Sequence, residues 1–528
     1  KKRWKKKSKN IFNGGKMNPY ILSIDCGTQS IRGIVFDQEG NLIEKSQLPL
    51  EYENPYPGWA EQKPEYFWEK LCSVVNLLWE KQPKLRDQIA GITLTTQRGT
   101  VINVDKNGQS LRPAITWFDQ RQVENPEPIP IWNVIFKIIG MSEAIDFFQR
   151  QIEASWIYKN QPEVWKNTYK YLLLSGYLSY KLTGQFVDSV ACQVGYIPFD
   201  YKNHRWASKW DWKWKLVPAK EEILPDLKKP GEILGKLTPD AAKVLQLKEG
   251  LPIIAAGSDK ACETLGCGVN DDSSIHLSFG TTSTVNVITK KYKEAIPFIP
   301  PYPSVIPNHY SMEIQIFRGF WLVSWFKEQF AHSEKLEAEK RNISVEAILE
   351  EKIQSIPPGS QGLILQPYWS PGIRIPGPEA RGAIIGFSDW HTKYHLYRAI
   401  LEGIGFSLRE GAERIEKTLQ KKIPRIAVGG GGSNSDIALQ ITADIFNRSV
   451  EKPKLSEASA LGSAMIAFYG LGIYKSIEEA VKNMYRVGKV IHPNPANVSL
   501  YEKIYKNAYL KIYQNLKPIY KELKNIIK

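Results

Sequence analysis

Cysteine is scarce in this chain, and long apolar runs and the common nucleotide-binding loops are missing. Its 528 residues include five cysteines without a Cys-x-x-Cys pair, and this odd number argues against a disulfide framework and favours a reducing cytoplasm. No apolar run approaches the roughly 18 residues that span a bilayer, so we expect no membrane partner. Residues 231–237 have one residue too few between their glycines for a P-loop, and no Gly-x-Gly-x-x-Gly follows the first predicted strand. These absences disfavour secreted disulfide-rich proteins, membrane proteins and the P-loop and Rossmann folds.

The formal net charge of +15 is concentrated at the start of the chain. Residues 1–16 contain eight Lys or Arg residues and no acid, which is about half of that charge. This segment lacks the apolar core of a secretory signal, which leaves two interpretations: a disordered or non-native leader, or an arm that seeks RNA or a membrane. We predict the leader, and we expect no nucleic-acid partner because the rest of the chain is only mildly basic.

The length of the chain predicts two domains of roughly 200–250 residues, because a single core rarely grows beyond ~250–300 residues. Strand and helix signals alternate up to about residue 270, and near residue 272 the pattern starts again with a strand, a Gly-Thr turn and a strand. We therefore predict a first domain over residues 17–270 and a second over residues 271–480. A helical extension rich in lysine and tyrosine is predicted over residues 481–528.

Two short turns have the composition of a phosphate clamp. Residues 25–30 and 278–283 each lie between two predicted strands, and glycines and hydroxyls there can place donors around an anion. Asp25 is the only acid in these turns, and it could hold a hydrated Mg²⁺ beside the phosphates. The candidate phosphate-binding residues are Gly27, Thr28, Gln29, Gly280 and Thr281. The pair predicts a nucleotide between two domains, whereas the alternative is a pair of ordinary polar turns.

Four consecutive glycines begin the segment at residues 429–435, between a predicted strand at 425–428 and a predicted helix at 436–446. Bare backbone lets a flat ligand lie against the chain, and a helix N-terminus favours anions. The alternative is a flexible turn in which Ser433 or Asn434 caps the helix.

Asp259 follows a hydrophobic predicted strand and precedes a predicted helix of small residues at 261–265. An acid at the mouth between two domains can accept the proton of a hydroxyl that attacks phosphorus, and such general-base assistance typically contributes 10² to 10⁴ in rate. The alternative role for Asp259 is to cap the helix.

A further group of residues that can bind a ligand follows consecutive predicted strands: Gln97, Arg98, Trp117 and Asp119. An amide, a guanidinium, an indole and a carboxylate together can bind a polyhydroxylated molecule by hydrogen bonds and by stacking. Each residue alone is also explained as ordinary surface polarity. Four tryptophans within residues 206–214 predict a lid that packs on its own aromatic faces, and stacking on a sugar is the alternative.

Taken in order, these motifs resemble the FGGY family of carbohydrate kinases, within the actin-like ATPase superfamily. The resemblance covers residues 20–474, and its most specific part is residues 382–402, where Gly-x-x-x-Gly precedes a helix with Ala and Glu at fixed spacing. Phe387 stands where the family usually has a smaller aliphatic residue. The resemblance implies an α/β fold with two ribonuclease-H-like domains, ATP and Mg²⁺ in the cleft between them, and a cytoplasmic enzyme, for which we also predict a homodimer.

The family resemblance also implies roles for individual residues. Asp25 would face the metal and the γ-phosphate, and Asp259 would be the catalytic base that deprotonates a sugar hydroxyl. The positions that it places around ATP are Gly27, Thr28, Gln29, Arg32, Gly280 and Thr281 for the phosphates and Gly430, Gly431 and Asn434 for adenosine. The acceptor would contact Gln97, Arg98, Trp117 and Asp119 besides the base.

The acceptor motif departs from both familiar branches of the family. Residues 97–100 resemble the glycerol-kinase motif, but Gly99 stands where that motif has Glu, and the xylulose-kinase motif Gln-Met-His-Gly is absent. Lys260 follows the base where Gln or Asn is usual in those branches. We predict an ATP-dependent kinase of a pentulose or a polyol. The alternatives are an actin-like ATPase without a sugar substrate and a non-catalytic protein that senses sugar or binds RNA.

Overall fold

The computed structural model describes residues 19–527 except residues 128 and 139. Two mixed β-sheets form the centres of two α/β domains, which confirms the predicted fold class. The predicted leader at residues 1–16 lies outside the described residues.

The first sheet contains six strands. They are β1 (Tyr20–Cys26), β2 (Ser30–Phe36), β3 (Leu42–Pro49), β4 (Ile89–Thr96), β5 (Ile233–Lys236) and β6 (Pro252–Ser258). Their order is β5-β6-β4-β1-β2-β3, in which β1, β4 and β6 are parallel and the other pairings are antiparallel. The central strands are buried along nearly their whole length, and this explains their almost continuous apolar sequences.

The second sheet contains seven strands. They are β7 (Ser274–Phe279), β8 (Ser283–Thr289), β9 (Tyr302–Pro303), β10 (Tyr310–Ile316), β11 (Arg425–Gly429), β12 (Val450–Pro453) and β13 (Val487–Ile491). Their order is β9-β10-β8-β7-β11-β12-β13, with β7, β11 and β12 parallel. Five strands of each sheet therefore correspond in order and direction: β3-β2-β1-β4-β6 in the first and β10-β8-β7-β11-β12 in the second. The restart of the pattern near residue 272 is the start of this second sheet.

Five helices position the site or the core. They are α1 (Pro64–Lys81), α2 (Asp259–Gly266), α3 (Lys393–Leu419), α4 (Asp436–Phe446) and α5 (Ala458–Gly470). The predicted helix at residues 436–446 is confirmed. The buried apolar residues of α1 lie mostly three or four positions apart and therefore share one helix face.

The remaining elements surround the two sheets. The other α-helices span Pro130–Ile138, Ser142–Gln151, Glu153–Asn160, Pro162–Asn167, Leu174–Thr183, Lys213–Leu216, Pro239–Leu245, Trp321–Phe330, His332–Arg341, Val345–Ile353, Ile477–Met484, Pro495–Ile504 and Leu510–Ile526. Short strands outside the two sheets span Glu61–Gln62, Val101–Val104, Ala114–Ile115, Lys170–Leu173, Val187–Ser189, Phe199–Asp200, Arg205–Trp206, Asp226–Lys228, Ile364–Gln366 and Ala383–Ile385. None of the helices in the described part of the chain has the length and apolar character to cross a bilayer.

The C-terminal segment contributes to the sheet and to the core of the second domain. Residues 481–528 are predicted as helical, yet β13 lies within them and pairs antiparallel with β12. Tyr501, Tyr505 and Tyr509 are buried and pack around Phe406 of α3, with ring centroids 5.1–6.0 Å apart. The tyrosines that the sequence presents as part of a polar, lysine-rich helix are thus core residues. The Tyr501 and Tyr505 hydroxyls donate to Glu402 at 2.8 Å and to Glu413 at 3.0 Å, whereas the Tyr509 hydroxyl has no hydrogen-bond partner among the described residues.

The two domains meet where α2 crosses α5. A Cβ at Gly266 would overlap the carbonyl of Ala458, and one at Gly462 would overlap the carbonyl of Cys262. Glycine is required here because the two backbones approach more closely than any side chain would allow. All five cysteines lie in the described part of the chain and are buried and free, Cys262 among them.

We expect Gly462→Ala to destabilise the protein by about 1–3 kcal/mol, the usual cost of overpacking a core. Gly411→Ala is the matched control, since Gly411 also lies inside a helix but a Cβ there would meet only side-chain carbons, at 3.2 Å. The midpoint of urea unfolding should fall for the first variant and stay near the wild-type value for the second. Equal midpoints for Gly462→Ala and wild type would contradict this account of the contact.

Candidate active site

A cleft of about 1100 Å³ lies between the two domains and is lined by both. It brings together residues that are up to 434 positions apart in the chain, from Asp25 to Ser459. The predicted site residues that line it are Asp25, Gly27, Thr28, Gln29, Arg32, Gln97, Arg98, Trp117, Asp259, Gly280, Thr281, Gly430, Gly431 and Asn434.

Asp119 is the predicted site residue that does not line this cleft. Its carboxylate is buried, accepts a hydrogen bond from the backbone N–H of Ala60 at 2.6 Å, and pairs with the Arg121 guanidinium at 2.7 Å. Arg121 in turn lies between the rings of Trp59 and Trp156, 3.8 and 4.7 Å from their centroids. Asp119 therefore stabilises its own loop, and the prediction that it contacts the acceptor is corrected.

Asp25 and Arg32 face each other across the β1–β2 hairpin. They are cross-strand partners, and Arg32 Nη1 lies 3.0 Å from Asp25 Oδ2. Burial raises the pKa of Asp25 to about 6, although the pairing with Arg32 works in the opposite direction. A further cation would stabilise the charged form of this carboxylate, because one guanidinium offsets only part of the cost of its burial.

Asp259 lies at the end of β6 and is the first residue of α2. Ser258 is the residue at the N-cap position, so the alternative role of Asp259 as the cap is wrong. One carboxylate oxygen, Oδ1, accepts a hydrogen bond from the Lys260 backbone N–H at 2.7 Å. Burial raises the pKa of Asp259 above its ordinary value, although the charges of Lys260 and Arg98 oppose this. A raised pKa makes the carboxylate a better proton acceptor.

The acceptor motif is tied to the first phosphate turn by side-chain hydrogen bonds. Trp117 Nε1 donates to Thr28 Oγ1 at 2.9 Å, and the Tyr52 hydroxyl donates to the Thr28 carbonyl at 2.6 Å. Gln97 Nε2 donates to the Tyr52 oxygen at 3.2 Å, while Gln97 Oε1 has no hydrogen-bond partner among the described residues. An acceptor molecule bound here would therefore lie directly beside the turn that is predicted to hold phosphate.

Arg98 crosses the cleft to the other domain. Its two terminal nitrogens bind the carboxylate of Glu313 on β10 at 2.9 and 3.1 Å, and its guanidinium lies 5.3 Å from the centroid of the Tyr302 ring. Such a bidentate pair fixes the guanidinium in one plane. Arg98 is thus held in place before any ligand binds.

The four-glycine segment turns sharply between β11 and α4. Gly430 has a φ of +82°, and a Cβ there would lie 2.8–3.0 Å from the Phe279 backbone. A Cβ at Gly431 would have no neighbour within 4 Å, so this glycine leaves open space at the cleft wall. Asn434 accepts a hydrogen bond from Lys452 at 2.8 Å, whereas Ser435 caps the helix. The alternative in which Ser433 or Asn434 is the cap is wrong.

Comparison with known proteins decides the family. The model of the FGGY family of carbohydrate kinases, N-terminal domain, matches residues 20–266, and that of the C-terminal domain matches residues 275–471. The chain belongs to the FGGY family of carbohydrate kinases. It is therefore an enzyme of this class, and neither alternative, an ATPase without a sugar substrate or a non-catalytic binding protein, is adopted.

Relatives extend over nearly the whole chain. A xylulose kinase of Lactococcus lactis is 32% identical over 96% of this chain and 98% of its own, and a glycerol kinase of Thermococcus gammatolerans is 28% identical over 90% and 94%. Among solved structures, a gluconate kinase from Lactobacillus acidophilus superposes with a TM-score of 0.80 at 23% identity, over 96% of this chain and all of that one. Plasmodium falciparum glycerol kinase with ADP superposes with a TM-score of 0.72 at 21% identity, over 94% and 98%. These structures confirm the two-domain fold.

Beyond the acceptor motif, this FGGY kinase has an aromatic wall that the sequence did not reveal. The cleft continues past Tyr196 to Phe136 and Trp212, whose ring centroids lie 5.2 Å apart. Trp212 packs on neighbouring aromatic residues, as the lid interpretation predicts, whereas Trp210 is 92% exposed. Glu153 also lines this part, and burial raises the pKa of its carboxyl group to about 8.

Three functional candidates were missed because their partners are distant in sequence or in the other domain. Tyr52 is 45 positions from Gln97, and Glu313 is 215 positions from Arg98. Glu457 lines the cleft and forms an ion pair with Lys45, 412 positions away, at 2.5 Å. The polarity of such residues is visible in the sequence, but no local pattern says which residues they face.

We expect Glu313→Gln to lower the free energy of unfolding by about 3–5 kcal/mol, because it leaves the buried Arg98 charge uncompensated. Glu337→Gln is the control, since Glu337 pairs with Arg341 in an exposed i,i+4 bridge that solvent screens. Chemical denaturation should separate the two variants clearly. A Glu313→Gln variant as stable as the control would show that the pair across the cleft contributes nothing to the fold.

Proposed function

We propose that this FGGY kinase transfers the γ-phosphoryl group of ATP to a hydroxyl of a pentulose or polyol, with Asp259 as the general base. The observation that carries the proposal is the position of Asp259, in one cleft with both phosphate turns and with the acceptor motif. The relatives named xylulose kinase and glycerol kinase support the acceptor class. The loss of the glycerol-kinase Glu at Gly99 favours a pentulose or a polyol other than glycerol itself.

In this mechanism, separate residues bind the acceptor, the phosphates and the base of the nucleotide. Gln97 and Trp117 hold the acceptor so that one hydroxyl faces Asp259, which takes the hydroxyl proton as the oxygen attacks phosphorus. Gly280 and Thr281 offer backbone and hydroxyl donors to the phosphates, and Gly431 leaves room for the flat base of the nucleotide. Transfer needs mainly positioning and neutralisation of charge, which suits these residues.

Mg²⁺ fits the first phosphate turn. Asp25 lines the cleft as a buried carboxylate, and among the described residues no three metal-binding side chains converge anywhere. This suits Mg²⁺, which is often bound by one or two carboxylates together with substrate phosphates and waters. When bound, the ion would neutralise phosphate charge, and Asp25 would be its ligand from the protein. A homodimer in the cytoplasm remains our prediction for the assembly and its location.

Asp259→Asn should bind ATP with nearly unchanged affinity but lose about 10²–10⁴ in turnover, because the amide cannot accept the proton. In the wild-type enzyme, activity should be lost on acidification at a pH above the ordinary aspartate pKa of 3.8, since burial raises the pKa of Asp259 and only the carboxylate is active. A coupled assay of ADP release with a panel of pentuloses, hexuloses and polyols measures the turnover of Asp259→Asn and the pH dependence of the wild-type enzyme. The same assay identifies the acceptor. Full activity of Asp259→Asn would refute the mechanism.

Asp25→Asn should raise the Mg²⁺ concentration needed for half-maximal activity by at least about tenfold, since one charge-assisted ligand is lost. Glu457→Gln is the control, because it neutralises another carboxylate that lines the cleft. Titration of Mg²⁺ at saturating ATP and acceptor measures the effect. An unchanged requirement in Asp25→Asn would remove Asp25 from the metal site.

A further inference from the structure

Lys260 lies between the base and the second phosphate turn. It is the second residue of α2, directly after Asp259, and it lines the cleft. Its ammonium group donates hydrogen bonds to Glu263 Oε2 at 3.0 Å and to Ser278 Oγ at 2.6 Å. Ser278 belongs to β7, the strand that leads into the turn, so the side chain of Lys260 connects the helix of the base to the phosphate wall.

The ammonium group lies against the side of Gly280 that faces the cleft. A Cβ added to Gly280 would be only 3.0 Å from Lys260 Nζ. The glycine at this turn therefore makes room for the lysine, in addition to exposing its own backbone. Any larger residue at position 280 would displace the ammonium group from the phosphate turn.

One proton of this ammonium group has no partner within the described part of the chain. A lysine ammonium has three N–H donors, and the contacts with Glu263 and Ser278 use two of them. Burial works to lower the pKa of Lys260, but the charges of Glu263 and Asp259 raise it above its ordinary value. Lys260 is therefore a fixed cation with one donor to spare at the wall of the cleft.

We propose that Lys260 is a catalytic residue that donates a hydrogen bond to a non-bridging oxygen of the γ-phosphoryl group during transfer. The inference rests on the proposed function, because it requires that a nucleoside triphosphate binds in this cleft. A cation at this point offsets the negative charge on the transferring phosphoryl group. Such electrostatic stabilisation is a main way in which proteins accelerate phosphoryl transfer. The neutral Gln or Asn that is usual at this position in the resembling branches would supply no charge.

In the transfer step, the acceptor oxygen forms a bond to the γ-phosphorus while the bond from that phosphorus to the β–γ bridging oxygen breaks. The bonding pair leaves with ADP, and the acceptor proton goes to Asp259. Lys260 keeps its proton throughout and donates a hydrogen bond to the phosphoryl group from a fixed position. Its pairing with Glu263 and Ser278 holds the ammonium group in position so that no reorganisation is needed.

Nucleotide binding tests the inference without any acceptor. Lys260→Met should weaken the binding of a non-hydrolysable β,γ-imido analogue of ATP by at least about tenfold, the loss of one charge-assisted hydrogen bond, and leave ADP affinity within about twofold. Isothermal titration calorimetry in the presence of Mg²⁺ measures both ligands on the same protein. Equal losses for the two nucleotides, or a loss confined to the Michaelis constant of the acceptor, would overturn the assignment.

A double variant separates catalysis from a structural pairing with Glu263. Lys260→Met leaves the buried Glu263 carboxylate unpaired, and Lys260→Met combined with Glu263→Gln removes that charge as well. We expect the double variant to recover stability while turnover stays about 10²–10³ below wild type. Recovery of turnover together with stability would show that Lys260 only neutralises Glu263.

Lys393 provides a matched control outside the cleft. Its ammonium group also binds a carboxylate and a serine, Glu334 at 2.8 Å and Ser333 at 3.0 Å, together with the carbonyl of Phe330 at 3.2 Å. Lys393→Met should cost stability and leave turnover and the binding of both nucleotides unchanged. The two proposals fail by different results. A wild-type enzyme that binds the ATP analogue but phosphorylates no acceptor would refute the proposed function, whereas the role of Lys260 is decided by the nucleotide affinities of Lys260→Met.

Discussion

The contact of α2 with α5 is the constraint on which the cleft depends. Two glycines let the backbone of one helix rest on the backbone of the other, so the helix that begins with Asp259 has little freedom to move relative to the second domain. Tightly packed interiors resist small displacements because they contain few voids. The base, the acceptor motif and the phosphate turns are thus held in fixed relative positions by a contact between two helix backbones.

Three cations that line the cleft, Arg32, Arg98 and Lys260, are paired with carboxylates before any ligand binds. Asp25 pairs with Arg32 within one hairpin, Lys260 pairs with Glu263 along one helix, and Arg98 pairs with a carboxylate of the opposite domain. Removing charges from water is costly, and only close partners compensate for it. Preformed pairs of this kind leave the cleft polar and rigid, which is what an enzyme that works by positioning requires.

Local pattern was enough to predict central strands, turns and residues that line the cleft, because glycines, hydroxyls and an acid after a buried strand are visible in a short window. The helix at 436–446 and the turn at 25–30 are examples. Pattern could not show that Asp119 faces Arg121 rather than the cleft, since both orientations suit a polar loop residue. Nor could it reveal Glu313 or β13, whose roles depend on partners supplied by distant parts of the chain.

The correspondence of the two sheets has a consequence for the polarity of the enzyme. Asp25 and Arg32 stand opposite each other in the β1–β2 hairpin, and the corresponding pair in the β7–β8 hairpin is Ser278 and Thr284. The first hairpin thus carries an ion pair, whereas the second carries two neutral hydroxyls, and the positive charge beside it comes from Lys260 on the neighbouring helix. The two hairpins are alike in shape and unlike in charge. A polyphosphate chain bound between them therefore has different electrostatic surroundings on its two sides, and this favours one orientation of the chain.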